Sequence, residues 1–146
     1  MPPASRSHRS YQADVLLVPL EPRSRTAVTS PAPHDALDGI TVSGTDTPLG
    51  GTDSRPDVVV MLTHDLAAVE AGLPTRVGAS ARASGALVGA IVISPDRGWH
   101  GPEARSAAAE LRAAADTVVV LSGMSPAVAL LRVLRGGPQP AGHGPI

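Results

Sequence analysis

Asp57-Val-Val-Val-Met-Leu62, Ala86-Leu-Val-Gly-Ala-Ile-Val-Ile93 and Thr117-Val-Val-Val-Leu121 are apolar runs of strand length, and the segments between them have helix length. The runs are rich in β-branched residues and lack alternating polar positions, as strands do when helices cover both faces. This alternation predicts an α/β domain of three layers, Rossmann-like, with a mostly parallel sheet and right-handed crossovers. A ligand site would fall at the carboxyl ends of the strands, in the loops after residues 62, 93 and 121.

Toward the N-terminus, Asp14-Val-Leu-Leu-Val18 reads as a further strand, stopped by Pro19 and Pro22 because proline cannot donate to a sheet ladder. Residues 21 to 56 are rich in Pro, Gly, Ser, Thr and Asp, and their only apolar island is Ile40-Thr-Val42, a short edge strand. They are expected to form one long loop, either mobile, a lid over a crevice or the remnant of a lost βα unit, with disorder favoured. Residues 1 to 12 and 137 to 146 carry no apolar period and read as a disordered N-terminus and tail around a single α/β domain, residues 13 to 136.

After Leu62, Thr63 or Asp65 suits a helix N-cap, and Leu66, Val69 and Leu73 fall at helical spacing. Gly72 and Pro74 interrupt that helix, and Thr75 is placed to cap a second segment running to about Ala83, closed by Gly85. Pro102 and Glu103 open a helix whose buried stripe is Ala104, Ala107, Ala108, Leu111 and Ala115. A serine cap, Pro126, the periodic Ala127, Leu130, Leu131 and Leu134, and a stop at Gly136 define the last helix.

Composition excludes several functions. The net charge of -1 supplies no field for nucleic acid or an anionic membrane. All twelve basic residues are arginine, which rules out chemistry that requires a lysine, and there is no cysteine for a thiolate site or disulfide. Tyr11 and Trp99 are the only aromatic residues, too few for a base-stacking surface. No apolar run approaches the roughly 20 residues of a membrane span, and none has the form of a signal-peptide core, so an unexported, cytoplasmic protein is expected.

At the strand ends, Thr63, His64, Asp65, Ser94, Arg97, Trp99, His100, Ser122 and Gly123 form the candidate ligand-binding set. No catalytic residue is assigned, because neither serine is flanked by nucleophile-elbow glycines. No metal site is assigned, because His64 and His100 lack a third ligand. Arg97 beside Gly98 is placed to meet an anion, and Trp99 to anchor its loop on the sheet.

In the order and spacing of Asp57, Gly72, Gly85, Pro95, Trp99, Gly101 and Asp116, the chain resembles part of the nucleotide-binding domain of the tubulin/FtsZ superfamily, on the bacterial FtsZ side. The resemblance covers about residues 57 to 122 and implies a GTP-binding ancestry linked to cell division or the cytoskeleton. The family's phosphate-cradling glycines are replaced by His64-Asp65-Leu66-Ala67-Ala68-Val69-Glu70, and its ribose-contacting glutamate by His100. Its glycine loop after the first strand becomes Pro19-Leu20-Glu21-Pro22, and the asparagine after the third strand becomes Gly123. The sequence is also expected to stop short of the family's activation domain and its catalytic loop. GTP hydrolysis is therefore not expected, and the cofactor is unknown. The function expected is that of a non-catalytic, FtsZ-like domain acting through a protein partner or self-association. The alternative is binding of a nucleotide-like or small anionic ligand, without turnover, at the carboxyl ends of the strands.

Overall fold

The structure, a computed structural model, describes residues 13–29, 40–42, 56–94 and 100–136. Strand β1 (Val15–Pro19) is followed by α1 (Pro22–Thr29), β2 (Ile40–Val42) and β3 (Val58–Thr63). A 3-10 turn (Leu66–Ala68) leads to α2 (Leu73–Ala83), then β4 (Leu87–Ile93), α3 (Pro102–Ala114), β5 (Thr117–Leu121) and α4 (Met124–Arg135). The five strands lie in the order β2-β1-β3-β4-β5, every pair parallel. This is a doubly wound α/β sheet of the Rossmann-like kind that the apolar runs predict. The winding reverses between β1 and β3, so the switch-point crevice opens beyond the carboxyl ends of those two strands.

Residue parity divides the core. Val59, Met61, Val88, Ala90 and Val92 point to the side covered by α2 and α3, where Val77, Ala81, Ala104, Ala107, Ala108 and Leu111 meet them. Val60, Leu62, Ile91 and Ile93 point to the other side, against Val28 of α1 and Ala127 and Leu131 of α4. Both faces are dry, which explains why the central strands contain no polar alternation. The buried stripe of α3 is almost wholly alanine. That lets α2 and α3 approach until a Cβ built at Gly78 would lie 2.8 Å from the Ala114 carbonyl oxygen.

Carboxylates pin the ends of the elements. Asp57 Oδ2 accepts from the Asp14 amide at 2.8 Å, tying β1 to the entry of β3. Asp116 Oδ2 accepts from the Val88 amide at 3.0 Å and its Oδ1 meets Arg82 at 3.3 Å. The Val88 amide first, and then Arg82, hold the Asp116 carboxyl below its ordinary range.

Three local readings are corrected. Residues 21 to 56 are not one loop, since Pro22–Thr29 is helical and buries Ser24 and Val28. That helix has almost no apolar period for a sequence reading to find, and tertiary packing of its few buried groups defines it instead. The segment after β3 is a single 3-10 turn followed by a helix. Gly72, at φ 88°, is the N-cap of α2 and Pro74 lies in its first turn. Thr75 does not cap that helix. Its amide and hydroxyl donate to Glu110 Oε2, at 3.0 and 2.7 Å, while the Gly72 amide donates to Glu110 Oε1 at 3.1 Å. Likewise α4 begins at Met124 with no side-chain cap, so its expected serine cap is absent. The C-terminal stop at Gly136, with φ 73°, is as expected. The regions expected to be disordered, residues 1–12, 137–146 and most of 30–55, lie outside the described residues.

Candidate functional site

The switch-point crevice is built from the chain leaving β1 and the chain leaving β3. The Leu20 amide donates to the Leu62 carbonyl at 2.9 Å, which holds the two exits together. The next residue, Glu21, is 1% exposed, and it stands immediately before α1, whose first amides point at it. Its Oε2 accepts from the Arg23 and Ser24 amides at 3.0 and 3.3 Å. Its Oε1 accepts from the Ser24 hydroxyl and, at 2.8 Å, from the His64 amide at the end of β3. Four donors converge on two oxygens, the acceptor-only pattern of a carboxylate.

That arrangement fixes the histidine. The Ser24 hydroxyl donates its hydrogen bond to Glu21, so its oxygen lone pair accepts from His64 Nδ1, 2.7 Å away. In the neutral ring the lone pair then resides on Nε2. Burial lowers the His64 pKa from 6.5, opposed by the Glu21 carboxylate and reinforced by Arg23. The linkage sign follows directly. The unfolded chain binds this proton more readily than the fold does, so the contribution of His64 is complete above pH 6.5 and is lost as pH falls through the lowered folded value. Denaturant midpoints between pH 7 and 5 should fall more steeply for the wild type than for His64→Gln. Equal slopes would show that His64 is not desolvated by this packing.

The Glu21–Ser24–His64 group is not a hydrolase triad. The serine lies between acid and histidine, is 0% exposed, and bonds to Nδ1 while donating its own proton to the acid. A nucleophile needs access, and Ser24 has none. What the group does is close the N-terminus of α1 with the protein's own negative charge, at the place where doubly wound sheets receive anionic ligands.

Of the predicted set, Thr63 is 0% exposed and its hydroxyl oxygen accepts from the Asp65 amide at 3.2 Å. His64 joins the Glu21 network. Asp65 is exposed, Ser94 is buried with its amide on the Leu121 carbonyl at 2.8 Å, His100 and Ser122 are exposed, and Gly123 is half-buried. Arg97 and Trp99 lie outside the described residues. Only His64 of these belongs to the network, and its two partners, Glu21 and Ser24, were assigned to a loop by sequence alone. The signal was present in Pro22, the first residue of a helix, directly after an acidic residue. Among the described residues no three His, Cys, Asp or Glu side chains are grouped to hold a metal, and no helix is long and apolar enough to cross a membrane.

A separate apolar groove of about 300 Å³ lies at the opposite ends of the strands. Val60, Gly89, Ile91 and Val119 of the sheet face Leu130 and Leu134 of α4 across it. A Cβ at Gly89 would meet nothing within 4 Å, so this glycine leaves the space open. None of the predicted site residues lines it.

No protein-family profile, curated protein or solved structure matches the chain.

Proposed function

We propose that this chain is a non-catalytic, FtsZ-like α/β domain that acts through protein contacts, with a link to cell division or the cytoskeleton. The observation supporting this reading is the Glu21 carboxylate, which occupies the helix N-terminus at the switch point. In the family resemblance, Glu21 falls in the segment replacing the glycine loop after the first strand. A phosphate entering there would meet a buried carboxylate whose four donors are already engaged. At about 4 Å, like charges repel by several kcal/mol even at an effective dielectric near 20. The second phosphate-binding segment is filled as well, since Leu66 is 6% exposed beneath the 3-10 turn where the family has bare glycines.

The test is equilibrium dialysis with GTP and GDP, run together with phosphate release. Neither binding nor turnover is the expected result. Tight binding without turnover would assign the crevice to a nucleotide-like ligand instead, and turnover that survives repurification would overturn the non-catalytic reading.

A further inference from the structure

We propose that β5 is a self-association edge, across which a second copy of this chain pairs antiparallel about a two-fold axis at Val119 to make one continuous ten-stranded sheet. This rests on the interaction reading above and names its partner.

The sequence of β5, Thr-Val-Val-Val-Leu, is that of a strand covered on both sides, yet all five residues are exposed or only half-buried. Among the described residues no strand pairs with its outer side. The opposite edge, β2, is three residues long, which blunts it, whereas β5 runs for five with no charge, proline or bulge. The described large apolar side chains that remain exposed are Leu87, Val120, Val133 and Leu134. Leu87 and Leu134 line the open groove on the α4 face, while Val120, paired with Val92, lies on the α2/α3 face of the same edge strand.

Backbone parity selects the pairing. The Leu121 carbonyl accepts from the Ser94 amide, on the β4 side. Leu121 and Val119 therefore turn their backbone groups toward β4, and Val118 and Val120 turn theirs outward, while just before the strand the Asp116 amide also turns to β4, onto the Val88 carbonyl at 2.8 Å. In an antiparallel pair centred on Val119, Val118 of one copy faces Val120 of the other. These are the residues with free outward groups, so both pairs exchange their hydrogen bonds. Val119 meets its own copy at the close, non-hydrogen-bonded position. Charge agrees, because Asp116 falls opposite Ser122 of the second copy, whereas a parallel, in-register pair would oppose Asp116 to Asp116. The contact is isologous and closes at two copies.

Sedimentation equilibrium of the full chain should give twice 14.7 kDa at high concentration, falling to 14.7 kDa on dilution. Val120→Lys, at a position 38% exposed where the new side chain stays solvated, should lose the dimer and keep its far-UV circular dichroism. The chain has no cysteine, so single-cysteine variants report register cleanly. Val119→Cys should cross-link to a dimer under mild oxidation, since Cα atoms at such a position lie about 4.5 Å apart, within disulfide reach. Val120→Cys should not. A monomer at every concentration, an unaltered dimer in Val120→Lys, or equal cross-linking at positions 119 and 120 would each overturn the β5 pairing. A monomer leaves the interaction reading standing, since that reading fails on the nucleotide measurement instead.

Discussion

Glu21→Ala is expected to destabilise the fold by about 3 to 5 kcal/mol, the usual cost of deleting one member of a buried, charge-assisted network. The substitution removes one side chain and strands four donors. The Ser24 amide and hydroxyl lose their acceptor where they are buried, and the Arg23 and His64 amides lose theirs where they are part-buried. It also removes the N-terminal anchor of α1, a helix whose buried side chains are only Ser24 and Val28. In a chain of this length the thermal midpoint should drop by on the order of 10 °C. Glu21→Gln should recover only part of the loss, because the amide nitrogen would face N–H or O–H donors that need an acceptor. A Glu21→Ala midpoint within about 2 °C of wild type would mean that the carboxylate does not join β1, α1 and β3 in solution.

Leu111→Ala is expected to cost about 3 kcal/mol, within the range for burying a cavity in place of a leucine. Its neighbours on α3 make the case. The rest of the buried face is Ala104, Ala107, Ala108 and Ala114, so Leu111, at 0% exposure, is the one large side chain that the helix sends into the core. The close approach of α2 and α3 at Gly78 and Ala114 limits how far the helices can collapse into the space left behind. Urea denaturation should show a lower midpoint with an unchanged slope, since the surface exposed on unfolding hardly differs. A loss below about 1 kcal/mol would imply that the site relaxes and that the helix–helix contact is looser than its alanines indicate.

The readable part of this protein was the part written in local pattern. Val58–Thr63, Leu87–Ile93 and Thr117–Leu121 are nearly unbroken apolar runs rich in β-branched residues, and α3 and α4 carry clear apolar stripes, so local pattern alone located them. Helix α1 was illegible for the opposite reason: Pro-Arg-Ser-Arg-Thr-Ala-Val-Thr offers a single buried apolar position, Val28. The site was hidden by distance along the chain. Glu21 and His64 are separated by 43 residues, and no spacing rule connects an acid after the first strand to a histidine after the third. Glu110 capping α2 from α3 is the same kind of contact, made across 38 residues. Desolvation raises the Glu110 pKa, and the Thr75 hydroxyl and the Gly72 and Thr75 amides outweigh it, so the net shift is downward. The sheet order made these meetings possible. Once β1 lies beside β3, the residues that leave them must share one crevice.

Chemical rescue of Glu21→Ala by formate tests most directly whether this crevice is an anion site filled from within. If Glu21 occupies a ready-made anion site at the start of α1, the variant leaves that site vacant. A small carboxylate should then raise its thermal midpoint saturably, beyond the effect of chloride at equal ionic strength. Wild type should respond to the two salts alike. A variant that responds to formate no more than to chloride, or a wild type that is saturably stabilised by formate, would contradict it.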